Sequence, residues 1–125
     1  MQLEVRAPGG PQLRCRTADG FVSRFLGLMG RRALPGGEGL LLVPGGSIHT
    51  LFMRFPIDVV FVAADGAVLR VAPAVRPWRL ARAPKGTRLT LELDAGSAAA
   101  SGIAEGTRLE LAEGDWESLV RKCRL

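Results

Sequence analysis

The chain has 125 residues, 47% of them hydrophobic and 23% charged, a balance that predicts one globular domain over residues 1–125 and excludes a disordered chain. The formal charge is +5 and the sequence pI about 10.5, which favours anionic partners in general without defining a function. Lysine occurs only as Lys85 and Lys122 and there are 16 glycines and 8 prolines, so the arginine excess reads as a compositional habit and the basicity is discounted.

Gln2–Arg6 alternates polar and apolar residues, the period-2 pattern of a half-buried strand. Pro8-Gly9-Gly10 supplies a turn and Gln12–Arg16 alternates again, which predicts an opening hairpin. Phe21, Phe25, Leu28 and Met29 fall at i, i+4, i+7 and i+8, one face of a helix. Thr17 or Asp19 can cap its start, and Gly30 with Pro35-Gly36-Gly37 ends it. Arg24 lies at the margin of that apolar stripe. Leu40–Val43 is a short apolar strand broken by Pro44-Gly45-Gly46.

Ile48–Val62 follows as one strand or two, with Pro56 expected at an edge, a bulge or a strand start because it has no N–H to donate. Ala64-Asp65-Gly66-Ala67 predicts a hairpin with a type I′ turn. Pro73–Pro84 carries three prolines, Trp78, Arg76, Arg79 and Arg82, and reads as an extended connection or edge strand. Thr87–Leu93 is a strand with Leu89, Leu91 and Leu93 on one face. Ser97–Ser101 is a single helical turn ended by Gly102, and Thr107–Leu111 alternates once more. Asp115 caps a last helix through Lys122, with Trp116, Leu119 and Val120 facing inward. Seven or more short strands with two or three short helices predict a mainly β fold, a compact sandwich or barrel.

No basic-then-apolar leader opens the chain, and no apolar run approaches the roughly 18 residues of a membrane span. The expectation is a soluble, cytoplasmic protein in which Cys15 and Cys123 are free thiols.

The segment Ile48–Val62 holds the single histidine, His49, with Arg54 and Asp58, in an apolar setting where an unpaired buried charge costs several kcal/mol. Arg54 is expected to be buried. Asp58 needs a partner there, and Arg24 or Arg54 is the candidate; a structural salt bridge pinning the helix to the sheet is favoured over a ligand-binding or catalytic carboxylate. His49 fits either a satisfied polar group at a core margin or a pocket residue with acid–base capacity. In an unbroken strand His49, Met53 and Phe55 share one face and Arg54 the other, so one catalytic cluster within this strand is not supported. A Cys15–His49 nucleophile pair has no local motif behind it. No metal site and no cofactor are expected, because one histidine and two distant cysteines leave too few ligands. Phe52, Phe55 and Phe61 read as core, while Met29 and Met53 can line an apolar groove. Trp78 among arginines can stack on an anionic ligand or simply anchor its loop. Nucleic acid is a disfavoured partner, since no recognised binding motif is present.

Three blocks in order resemble the domain of unknown function 192 family. They are Arg24-Phe25-Leu26-Gly27-Leu28-Met29; His49 to Phe61 followed by Asp65-Gly66; and Leu91-Glu92-Leu93-Asp94-Ala95-Gly96 with Gly102-Ile103 and Gly106. Asp94 stands where the family usually has proline. The resemblance implies a β-sandwich-like fold of jelly-roll character and no established activity.

The reading that follows is a small binding or interaction module, not an enzyme. Its cleft is expected between the Arg24–Met29 helix and the His49–Asp58 strand, lined by Arg24, Met29, His49, Met53, Asp58 and Trp78, for a small molecule or a peptide segment. Two alternatives stand beside it. One is an enzyme with His49 or Asp58 as general base and Arg24 or Arg54 stabilising an anion. The other is a basic nucleic-acid-associated protein. Oligomeric state is left open.

Overall fold

The computed structural model describes residues 1–18 and 33–122. The helix expected over Phe21–Met29, and with it Arg24 and Met29, lies outside the described residues, as does Cys123. The two alternating segments at the start of the chain form an antiparallel hairpin of β1 (Gln2–Arg6) and β2 (Leu13–Ala18), with Leu3 opposite Cys15 and Val5 opposite Leu13. The strands that follow are β3 (Glu38–Leu42), β4 (Ile48–His49), β5 (Ile57–Val62), β6 (Val68–Val75), β7 (Leu80–Ala81), β8 (Leu89–Asp94) and β9 (Glu110–Leu111). Helix α1 spans Ser97–Ala100 and helix α2 spans Trp116–Lys122.

Seven strands form one curled sheet, a half-barrel, in the order β6-β5-β8-β3-β2-β1-β9, and β4 pairs with β7 in a small second sheet. The fold is mainly β, as expected; this order does not establish a jelly roll. All neighbours in the large sheet are antiparallel except β2 and β3, which run parallel. A parallel pair needs a connection of a dozen or more residues, and residues 19–37 provide it.

Both faces of the sheet are covered. On one face Leu41, Val60, Val62, Leu89, Leu91 and Leu93 pack with Ile103, Trp116 and Leu119. On the other, Leu40, Leu42, Ile57, Val59 and Phe61 pack under Ile48, Met53, Phe55 and Ala81. The predicted leucine face of β8 is therefore real, and β5 is buried along its whole length. Cys15 sits in the first of these cores as a free thiol, and burial pushes it up to about 12, so it is an inert core residue at neutral pH.

The Asp-Gly turn differs from the type I′ expectation. Gly66 N donates to the Ala63 carbonyl at 3.0 Å, and Gly66, with φ of 91°, is the one turn residue on left-handed backbone. This is a type I turn with a glycine bulge, the three-residue hairpin alternative. A side chain at Gly66 would run into the Trp116 indole and the Leu109 carbonyl. Trp116 is held there by its Nε1–H, which donates to Leu109 O at 2.8 Å. Asp115 caps α2 as predicted: its Oδ1 accepts from Ser118 N at 2.7 Å, a bond that holds its carboxyl below the usual range.

Residues 107–111 reach both ends of the curled sheet. Val68 N donates to Thr107 O, Leu109 N donates to Gly66 O, and Arg108 bridges Ala67 on the β6 side. Two residues later Glu110 and Leu111 pair with Arg6 and Val5 of β1. The ion pair Arg6–Glu110, at 3.0 Å, lies over this junction.

Candidate functional site

The segment expected as the heart of the site is two short strands separated by a turn. β4 ends at His49, residues 50–56 turn, and β5 begins at Ile57, with Pro56 just ahead of the strand where its missing donor costs nothing. The turn brings Arg54 out to the surface, correcting the expectation that it is buried. It also breaks the strand parity on which the His49–Met53–Phe55 face was argued, although Met53 and Phe55 do both point into the core.

Thr50 ties this turn to residues 76–79. Its buried hydroxyl donates to Arg76 O at 2.6 Å and accepts from Arg79 N at 2.8 Å. Its own N–H donates to Arg79 O, and its carbonyl accepts from both Trp78 N and Met53 N. Next to it His49 pairs with Leu80 across the β4–β7 ladder, and its Nδ1 accepts from Leu51 N at 3.3 Å. Thr50→Val would leave Arg79 N–H without its acceptor inside the protein. A loss of about 2 kcal/mol and faster amide exchange at Trp78 and Arg79 are expected; unchanged exchange there would show that the tie is not needed.

The tied loops display two aromatic side chains. Phe52 and Trp78 are 58% and 54% exposed, and their rings meet edge to face with centroids 4.7 Å apart. Each sits at φ of 64°, in the left-handed region. That conformation costs a bulky residue on the order of 1 kcal/mol or more and persists only where the surroundings enforce it. Leu51 and Leu80 are exposed beside them, and Arg54, Arg76, Arg79 and Arg82 are exposed along the same two loops.

Asp58 is fully buried at the start of β5. Its Oδ1 accepts from Ala74 N at 2.8 Å, and its Oδ2 accepts from Gly96 N at 3.0 Å and Ala98 N at 2.9 Å. Ala74 is itself at φ of 48°, next to a register shift between β5 and β6. The carboxylate thus pins a bulged β6 and the entry to α1 to the central strand, and it fixes the point from which the Trp78 loop departs.

Glu92 is a second buried acid. In register across the sheet it lies between Leu40 of β3 and Val59 of β5, both in the second apolar cluster, and it is 5% exposed. Among the described residues no hydrogen bond or ion pair reaches its carboxyl; Arg16 is two strands along the same row. Burial pushes it up to about 7. Elsewhere among the described residues no group of three or more His, Cys, Asp or Glu is placed to hold a metal ion.

The profile of a known family, described as an uncharacterized ACR, matches residues 4–111. The chain belongs to the DUF192 family. A UPF0127 protein of Pyrococcus furiosus is 33% identical over 104 residues, covering 79% of this chain and 87% of the relative. A solved structure from Novosphingobium aromaticivorans, of unknown function, superposes with a TM-score of 0.78 at 26% identity, covering 88% of this chain and 84% of that one. A Sinorhizobium meliloti protein suggested to be a transcription regulator also superposes at 0.78, with 25% identity, covering 89% and 92%.

In this DUF192 domain the structure brings His49, Met53 and Trp78 together through the Thr50 tie, with Asp58 as the support beneath β6. Arg24 and Met29 lie outside the described residues. Two residues of the neighbourhood escaped the sequence reading. Phe52 was expected in the core and is exposed, and nothing local marks it, because phenylalanine gives no sign of left-handed backbone. Glu92 stood inside a recognised family block, but its alternation with leucines reads as a solvated face. Among the described residues no helix is long and apolar enough to cross a membrane.

Proposed function

We propose that this domain is a small non-enzymatic binding module whose recognition surface is the pair of loops, residues 49–56 and 76–82, that Thr50 joins. The observation that carries the reading is the Phe52–Trp78 pair. Two large aromatic side chains are held more than half exposed, in mutual contact, on strained backbone. Burial would stabilise each ring by about 2 kcal/mol, so keeping both in solvent forgoes a gain that the surrounding hydrogen bonds could as easily have enforced. The ligand fitting this surface carries a flat apolar group next to negative charge, since the flanking side chains are arginines. Asp58 gives no support to the enzyme alternative, because three backbone amides occupy its oxygens.

The test uses 1-anilinonaphthalene-8-sulfonate, an anionic aromatic probe. The folded protein is expected to enhance its fluorescence, and the double substitution Phe52→Asn, Trp78→Asn to weaken that binding at least fivefold. Asparagine tolerates left-handed backbone, so the stability of the variant is expected to stay within about 1 kcal/mol of the parent. Trp116, buried in the core, remains as the fluorescence reporter of folding. Probe binding indifferent to both substitutions would overturn the reading.

A further inference from the structure

We propose that the partner of this surface is an anionic lipid bilayer, which the two loops meet by inserting Phe52 and Trp78 among the headgroups; the inference rests on the binding reading above. Four large apolar side chains cluster on these loops: Leu51, Phe52, Trp78 and Leu80, the last 60% exposed. Apart from Met1 they are all the exposed large hydrophobic residues among those described. They belong to one rigid unit, since His49 pairs with Leu80, the rings of Phe52 and Trp78 touch, and Thr50 bonds both loops.

The charge carried by the two loops themselves has one sign. No acidic residue occurs between Asp65 and Glu92, while Arg70, Arg76, Arg79, Arg82, Lys85 and Arg88 all fall in that span. On the other loop Arg54 is exposed, and the following acid, Asp58, is buried and bonded to three amides. Exposed tryptophan and phenylalanine on loops that also carry exposed arginines match the chemistry of a bilayer surface: apolar groups suit the acyl boundary, the indole the headgroup level, and cations the lipid phosphates.

A rigid, exposed apolar cluster flanked by arginines suits a flat, deformable surface. Because the loops are already ordered by backbone hydrogen bonds, little conformational entropy is lost on insertion.

Co-sedimentation of the full chain with vesicles tests this. The protein is expected to partition onto vesicles of mixed phosphatidylglycerol and phosphatidylcholine, to ignore vesicles of phosphatidylcholine alone, and to show a blue shift of Trp78 emission on binding. Phe52→Asn with Trp78→Asn should cut partitioning about tenfold or more. Arg76→Glu with Arg82→Glu should cut it by about twentyfold or more, since each surface cation contributes roughly fivefold. Absence of partitioning, or partitioning that survives the charge reversals, overturns the lipid assignment. The same result follows if the protein passes over vesicles but binds an acidic tryptophan-bearing peptide or a single-stranded oligothymidine. In either case the fluorescent-probe result decides separately whether the loops are a binding surface at all.

Discussion

Asp58→Ala is expected to lower the free energy of unfolding by about 4 kcal/mol. The substitution removes one buried carboxylate and leaves three backbone donors, Ala74 N, Gly96 N and Ala98 N, without their acceptor. An orphaned buried donor costs about 1–3 kcal/mol, and three of them set the scale. Two of these donors lie where α1 begins, and the third holds an alanine on left-handed backbone that has no glycine's freedom to stay there unaided. Asp58→Asn should be milder, about 2 kcal/mol. Its one oxygen can face Gly96 and Ala98, but its amide then confronts the Ala74 donor. Urea unfolding of the two variants checks both numbers. A D58A protein as stable as the parent would show that the carboxylate is not the pin described. Because β6 leads straight into the Trp78 loop, D58A should also raise amide exchange from Ala74 through Trp78.

Glu92→Gln is expected to act in the opposite direction and to be visible only above mild acidity. The carboxyl in the folded protein titrates at about 7, against 4.5 for the ordinary group, because burial disfavours its charge. The folded state therefore holds the proton more tightly than the unfolded chain does. The favourable difference is complete below pH 4.5, is lost as pH rises from 4.5 to 7, and stays lost above that. The interval corresponds to about 3 kcal/mol. Glutamine has the shape of the protonated acid and no charge to lose. The variant should match the parent at pH 4 and exceed it by about 2–3 kcal/mol at pH 8. Parallel stability curves from pH 4 to 8 would show that the carboxyl is not sequestered.

What the sequence made legible was what is decided locally. The hairpins around Pro8-Gly9-Gly10 and Asp65-Gly66, the leucine face of β8 and the Asp115 cap each follow from neighbours within a few residues, and each is present. Alternation in Leu89–Leu93 shows that Thr90 and Glu92 share a face. It cannot show that the face is dry, because the covering residues Ile48, Met53 and Phe55 arrive from more than thirty positions away in the chain. The parallel pairing of β2 and β3 was equally invisible, since register between distant segments leaves no local mark. At the site, His49, Met53 and Trp78 were picked out for their chemistry. The side chain that gathers them, Thr50, is an ordinary threonine whose role exists only once residues 76–79 lie against it. Phe52 was misplaced for a related reason: its exposure depends on a backbone conformation that a phenylalanine ordinarily avoids.

The bridging of both sheet ends by residues 107–111 bears on how the protein behaves when crowded. An open sheet ends in unpaired amides and carbonyls that recruit strands from other molecules. Here the start of β6 is occupied by Thr107–Leu109, and among the described residues only the two-residue β9 lies beyond β1. The remaining run of β6 is spoiled as a template by Pro73, by the left-handed Ala74 and by the charge of Arg70. Among the described residues the large sheet is thus left with no long, flat border along which copies could stack, and the exposed aromatic side chains lie outside it, beside a second ladder only two residues long.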